Sequence, residues 1–238
     1  MSNQIDLSFL LNEIPLNISV DQLDRLVEFI EILLEANKTT NLTAITDFKE
    51  AMVKHIYDSL LIMAIPEFAS AQNIIDVGSG GGIPSIPLAI CNPDKKIKSL
   101  EATQKKINFQ IEACHRLNLQ NITPIWGRAE EAGRQISHRE QFDLVIARAV
   151  APINILAELT IPFVKLNGRT IFYKGKEAAN ELLNGENAVK TLGAEICGTR
   201  SFTLPGNYGS RVLVVLQKSN PTPSAYPRKS GLPQKKPL

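Results

Sequence analysis

An apolar run that ends in an acid and opens into packed glycines, Ile74-Ile75-Asp76-Val77-Gly78-Ser79-Gly80-Gly81-Gly82-Ile83-Pro84, constrains this chain more than any other stretch. A buried strand that stops at a glycine turn and runs on into a helix brings backbone N–H groups against a ligand with no side chain between them. Such a turn cradles a nucleoside-bearing cofactor. A tight strand-to-helix turn with no ligand is the plainer alternative.

Around this turn the periodicity sorts into two parts. Ser19 followed by Gln22 is a capping-box signal, and Val20, Leu23, Leu26, Val27, Ile30, Leu33 and Leu34 form the stripe of an amphipathic helix to about Asn37. Asp47 with Glu50 caps a second helix, with Met52, Val53, Ile56 and Leu60 on its buried face, before Pro66 ends it. Beyond the turn, strands (97–100, 122–126, 142–147, 170–174) alternate with helical stretches (105–117, 129–136, 152–163, 177–192). That alternation predicts right-handed crossovers and a doubly wound α/β domain. Two β-prone runs, 201–204 and 211–217, are joined by six residues, too few for a parallel crossover. They predict a hairpin and an antiparallel strand at the edge of a mostly parallel seven-stranded sheet. The expected organisation is an N-terminal helical extension (1–70), the α/β domain (71–218) and a tail (219–238).

The net charge of +2 conceals an uneven distribution: the tail carries Arg228, Lys229, Lys235 and Lys236 with no acid, leaving 22 bases against 24 acids in residues 1–218. Poor in apolar residues and rich in proline, the tail is expected to be mobile when alone. The longest apolar run, Leu60-Leu61-Ile62-Met63-Ala64-Ile65, falls far short of the roughly 18 residues of a membrane span. No signal-peptide pattern opens the chain, so a cytoplasmic protein without membrane contact is expected. Cys91, Cys114 and Cys197 form no close pair and predict neither a disulfide framework nor a metal site; they read as small buried apolar residues.

In an open parallel sheet, ligands bind beyond the carboxyl ends of the strands. Gly78, Gly80 and Gly82 follow the first strand, Glu101 the second, Gly127-Arg128-Ala129-Glu130 the third, and Arg148 the fourth. An acid in the place of Glu101 can accept both ribose hydroxyls. Ala129 and Glu130 belong beside the adenine, although Glu130 could instead cap the following helix. The dinucleotide fingerprint fails here: counted from Gly78 its third glycine falls on Ile83, and from Gly80 on Ser85. Pro84 and Pro87 also remove amides a pyrophosphate would use. S-adenosylmethionine therefore fits better than NAD. His55 and Asp58 lie three apart on one helix face and either line the site or join two helices. Arg148 cannot serve as a base but can hold a carboxylate, a phosphate or a guanine edge. Lys38, Asn41, Lys174, Lys176, Tyr226, Arg228 and Lys229 are candidates for RNA contact, while Trp126 reads as core.

Several motifs then align with one family. Residues 76–89, Asn37-Lys38 with Asn41-Leu42-Thr43-Ala44-Ile45, and His55 with Asp58-Ser59-Leu60 closely resemble the bacterial 16S ribosomal RNA guanine-N7 methyltransferases, the glucose-inhibited division protein B family. So do Gly127-Arg128-Ala129-Glu130, Arg148-Ala149-Val150-Ala151-Pro152 and Tyr226-Pro227-Arg228-Lys229-Ser230-Gly231-Leu232-Pro233. The resemblance implies a class I S-adenosylmethionine-dependent methyltransferase fold. It also implies a cofactor site drawing on Gly78, Ile83, Glu101-Ala102-Thr103, Ala129-Glu130 and Arg148. The substrate it implies is 16S ribosomal RNA or the small ribosomal subunit, met by a monomer with no metal. Family members often carry alanine at position 81, an aromatic at 83 and glycine at 85, so the turn here is expected to be slightly reshaped, and an Asp-Ser pair near 101–102, so Glu101 keeps the ribose acceptor on a longer arm. Guanine N7 offers a lone pair and no hydrogen, so no general base is required and positioning supplies most of the rate. The alternatives are a methyltransferase for a small molecule, which would not need the basic tail, an NAD(P) oxidoreductase, and a non-enzymatic RNA-binding protein with a vestigial pocket.

Overall fold

The computed structural model describes residues 18–148 and 151–238; the first 17 residues of the expected extension, together with Ala149 and Val150, lie outside the described residues. Seven strands form one sheet in the order β3-β2-β1-β4-β5-β7-β6: β1 (Asn73–Val77), β2 (Lys96–Glu101), β3 (Ile122–Trp126), β4 (Phe142–Arg148), β5 (Val164–Lys174), β6 (Ala194–Thr203) and β7 (Ser210–Lys218). The pairs among β1 to β5 are parallel, and β7 runs antiparallel to both β5 and β6. The reversed strand therefore lies inside the sheet rather than at its edge, which corrects the expectation. The reason is burial: Leu213, Val214, Val215 and Leu216 of β7 are essentially unexposed, whereas β6 is polar and mostly exposed. The apolar strand takes the covered position and the polar one the edge, where pairing with other chains must be discouraged. β6 also starts seven residues before the expected 201 and is kinked between Ile196 and Gly198. Its Cys197 is exposed, unlike the buried residue expected there.

Alternation along the strands places side chains on two faces. Ile74, Ile146, Ile171, Leu213 and Val215 meet the N-terminal helices, with Leu26, Phe29, Ile56 and Leu60 in the same core. Ala147, Phe172, Val214 and Leu216 meet Ile153, Leu156 and Val189 on the other face. Each fully buried Leu or Ile stabilises the fold by about 1.5–3 kcal/mol relative to exposure. The first helix, Val20–Thr40, opens with the expected capping box: the Ser19 hydroxyl accepts from the Gln22 amide, and the Gln22 side chain accepts from the Ser19 amide. It runs three residues past Asn37 and is closed by Asn41 in the left-handed conformation. Gln22 and Arg25 donate to the carbonyls of Cys91 and Leu117, locking this helix onto the helices that flank β2.

The second helical stretch is broken where one continuous helix was expected. Asp47 caps Phe48–Ala51, a π-helical turn follows over Met52–Tyr57, and α-helix resumes at Asp58–Leu60. Such turns frequently sit at functional sites. Here the turn carries His55, whose side chain is buried, and its Lys54 carbonyl accepts a 2.6 Å hydrogen bond from the Arg148 guanidinium.

The tail is packed against the body, contrary to the mobility expected of it. Arg139 donates to the Tyr226 and Thr222 carbonyls at 2.7 Å each, and the buried Lys218 ammonium donates to the Ile161 carbonyl. Arg228 grips the fully buried Glu158 through its amide, Nε and Nη2. Composition alone misses this, because the anchoring groups, the Arg139 guanidinium and the buried Glu158 carboxylate, lie elsewhere in the chain.

Candidate active site

The carboxyl ends of β1, β2, β3 and β4 converge on a pocket of about 470 Å³, within the range typical of small-ligand sites. The glycine turn forms its floor. Gly80 (φ +59) has nothing within 4 Å of where a Cβ would lie, so that spot is open to a ligand; a Cβ at Gly82 (φ +79) would come within 2.4 Å of Ile86 Cδ1. The turn is held from behind by Gln110, which is wholly buried and donates to Ser79 Oγ (2.9 Å) and the Gly80 carbonyl (2.7 Å) while accepting from Ser99 Oγ. Nothing in the helical periodicity singled out Gln110, a polar residue at an inward position.

Glu101 ties two loops together: its Oε2 accepts from the Gly80 amide at 3.0 Å and its Oε1 from the Thr103 amide at 2.8 Å. Each oxygen keeps a lone pair for a hydroxyl in the pocket. Gly78, Gly80, Ile83, Glu101, Ala102, Ala129, Glu130 and Arg148 all line the cavity. Thr103 does not; it stands at the N-cap position of the following helix without a side-chain capping bond, its amide holds Glu101, and Lys106 reaches the cavity instead. Beneath the turn, both carboxyl oxygens of the buried Asp76 lack hydrogen-bond partners among the described residues. Burial pushes that carboxyl up to about 7, against the pull of nearby Ser85 and Arg148. Trp126, expected in the core, is 63% exposed at the end of the edge strand β3 and donates to the Ala102 carbonyl.

At the β4 end, His55, Asp58 and Arg148 form one cluster. Arg148 Nη1 meets Asp58 Oδ2 at 2.7 Å, and Nη2 lies 3.2 Å from His55 Nδ1. A guanidinium only donates, so Nδ1 accepts, the proton resides on Nε2, and Nε2 donates to Thr43 Oγ1 at 2.8 Å. Burial first, and the Arg148 charge second, push this imidazole down to about 3. It is neutral at neutral pH with both nitrogens engaged. Asp58 is fully buried and is also clasped by Arg211, Nε to Oδ1 and Nη2 to Oδ2, each at 2.7 Å. Arg211, at the start of β7, carried no motif signal and was not anticipated. Arg148 uses three of its five N–H groups internally and retains two for a ligand.

The tail supplies a further wall that the sequence did not announce: Gly231, Pro233 and Gln234 line the pocket, and the Gly231 amide donates to Glu130 Oε1 at 2.8 Å. Of the RNA candidates, Lys38 is exposed beside Glu35, Asn41 is exposed at the helix end, and Lys229 is exposed. Lys174 is buried between the Ala151 carbonyl and Glu181, and Arg228 is committed to Glu158, so neither charge faces solvent freely. Tyr226 is partly buried against the core on the second face of the sheet.

The strand order, the reversed seventh strand and a pocket bounded by a glycine turn and a carboxylate after β2 define a class I methyltransferase fold. Solved structures agree: an O-methyltransferase from Bacillus cereus in complex with SAH aligns with TM-score 0.56 at 18% identity, covering 81% of this chain and 91% of that one. A protein from Klebsiella pneumoniae described as a putative O-methyltransferase aligns at 0.54 and 15% identity, over 81% and 90%. The family model described as rRNA small subunit methyltransferase G matches residues 22–205. Proteins named Ribosomal RNA small subunit methyltransferase G from Leuconostoc citreum and Brevibacillus brevis are 42% and 40% identical, over 96% and 91% of both chains respectively. The chain belongs to this GidB family of methyltransferases.

Proposed function

We propose that the pocket binds S-adenosylmethionine and that the chain transfers its methyl group to N7 of a guanine in 16S ribosomal RNA, acting in the cytoplasm on the small ribosomal subunit or its RNA. The observation that carries the reading is the pairing of a nucleoside cradle, built from the glycine turn and Glu101, with a guanidinium held at the pocket wall. Glu101, pinned to the Gly80 amide, is set to accept ribose hydroxyls, while His55 is neutral and bonded at both nitrogens. When bound, the cofactor supplies an electrophilic methyl group on a sulfonium. The protein then has to hold an in-plane lone pair in line with that methyl, and guanine N7 has no proton to lose. Arg148, braced by Asp58, His55 and the Lys54 carbonyl, offers two fixed N–H groups at the pocket wall to orient a carboxylate or a base edge. The family assignment supports ribosomal RNA as the substrate class.

The test is incubation of labelled S-adenosylmethionine with small subunits and with naked 16S RNA, followed by borohydride and aniline cleavage at N7-methylguanosine. One cleaved position in either substrate is expected, and the more efficient of the two is the natural one. Label in neither, with turnover of a small molecule, would replace the proposal.

A further inference from the structure

A second hollow, about 360 Å³, opens where the loop after β5 meets the β6–β7 turn, and Lys54, Lys176, Tyr208 and Arg211 line it. These residues come from three separated parts of the chain and converge on the same edge of the sheet as the pocket. Arg148 of β4 pairs in register with Tyr173 of β5, and Lys174 with Val212 of β7. With strands about 4.8 Å apart, β7 starts about 10 Å from the strand that carries Arg148. Two groups connect hollow and pocket directly. Asp58 is bound by Arg148 on the pocket side and by Arg211 on the hollow side, and the residue whose carbonyl receives Arg148 is Lys54.

The hollow is cationic and carries an aromatic. Lys54 Nζ sits 5.2 Å from the centre of the Tyr208 ring and 2.6 Å from Glu50. Lys176 is exposed and has no ion pair among the described residues. The lining itself holds three cations, Lys54, Lys176 and Arg211, and no carboxylate. A Cβ at Gly206 would come within 3.1 Å of Tyr208 Cε2, whereas Gly209, next to Tyr208, has nothing within 4 Å of a Cβ position. Backbone can therefore approach there. Cations that meet phosphates, next to a ring on which a base can stack, are the components of a single-stranded nucleic-acid track.

Resting on the function proposed above, we infer that this hollow, rather than the C-terminal tail, binds the sugar-phosphate backbone of the RNA strand adjoining the target guanine. In the tail Arg228 is bound to Glu158 and Gly231, Pro233 and Gln234 wall the pocket, which leaves the exposed Lys229, Lys235 and Lys236 as the competing cations. Lys176 and Lys54 meet phosphates, and Tyr208 stacks on a neighbouring base.

The experiment measures binding of a fluorescein-labelled 16S RNA fragment from 50 to 400 mM KCl, with S-adenosylhomocysteine calorimetry as a check on the pocket. Lys54→Gln with Lys176→Gln should flatten the log–log salt slope by about 1.4, at about 0.7 per single-stranded phosphate contact. The same pair should raise the RNA Kd roughly 10-fold at 150 mM salt, and Lys176→Gln alone should weaken RNA binding while adenosylhomocysteine affinity stays the same. Tyr208→Ala should weaken RNA binding roughly 10-fold and Tyr208→Phe should restore it, as stacking requires. An unchanged slope in the double variant, with a flattened slope in Lys229→Gln/Lys235→Gln/Lys236→Gln, would overturn the inference in favour of the tail. Should the wild type bind RNA through the hollow yet leave no N7-methylguanine, the functional proposal falls and the hollow stands. Should methylation proceed with the slope unmoved, the reverse holds.

Discussion

Arg228→Ala tests whether the tail is part of the cofactor site. Glu158 is fully buried and receives three groups of Arg228: the amide at 2.6 Å, Nε at 2.9 Å and Nη2 at 2.5 Å. Removing the guanidinium leaves a buried carboxylate with only the amide, and breaking such pairs costs about 3–5 kcal/mol. The Arg228 side chain is 20% exposed, so about 3 kcal/mol is the apt figure. That strain is relieved without global unfolding if the tail lifts and water reaches Glu158. A shift of about 3 kcal/mol moves the docking equilibrium roughly 150-fold. A pocket that is complete only with the tail in place binds with its intrinsic Kd divided by the docked fraction. Gly231, Pro233 and Gln234 then leave the wall, and Glu130 loses the Gly231 amide. Calorimetry should show the Kd for S-adenosylhomocysteine rising about 10-fold or more, toward the value of a chain ended at Lys218. Trypsin should cut the variant faster after Lys229, and the ligand should slow that cleavage in the wild type. Wild-type affinity in both Arg228→Ala and the shortened chain would show that the tail only rests beside the pocket.

Three other perturbations probe the turn and the cluster. Gly82→Ala places a Cβ 2.4 Å from Ile86 Cδ1 at φ +79. It should cost about 2–3 kcal/mol by urea unfolding, from left-handed strain of about 1–2 kcal/mol plus overpacking. Gly80→Ala meets no atom, so it should cost only the strain while still lowering cofactor affinity; equal stability losses in the two would contradict the geometry. Asp58→Asn leaves two guanidiniums facing each other without a counter-charge and should lower stability by about 3 kcal/mol, visible as a reduced urea midpoint. His55 binds its proton less readily folded than unfolded, so it contributes stability present above about pH 6.5 that is lost as pH falls toward about 3. The wild type minus His55→Gln difference should shrink by up to about 2 kcal/mol between pH 6.5 and 5, and a flat difference would refute the assigned neutral state.

What could be read in advance follows from where each interaction's partners lie. The β1 turn is local: a strand, its glycines and the acid after β2 are joined by one crossover, so their pattern alone located Gly78, Gly80 and Glu101. The parallel pairing of β1 to β5 followed from the same alternation, whereas their order in the sheet was not read from it. The hairpin was legible but its placement was not, because that depends on which of two strands is more apolar over its full length, and the polar stretch 194–200 has no strand-like pattern. Lys174 and Arg228 looked like free cations because their neutralising partners, Glu181 and Glu158, lie on other elements.

The Asp58 cluster extends this point to mechanism. A buried carboxylate between two arginines from β4 and β7 makes the pocket wall and the hollow beside it share one anion. If RNA phosphate draws Arg211 outward, Arg148 keeps Asp58 to itself; if a ligand carboxylate draws Arg148, Arg211 keeps it. Either engagement changes the charge balance the other arginine feels, and coupling of this kind must be reciprocal in free energy. S-adenosylhomocysteine should therefore change RNA affinity by the same factor by which the RNA fragment changes adenosylhomocysteine affinity. Arg211→Gln should reduce that factor toward one, with each affinity measured separately by calorimetry and fluorescence. A factor left unchanged by Arg211→Gln would mean that the two sites share an anion in geometry but not in energy.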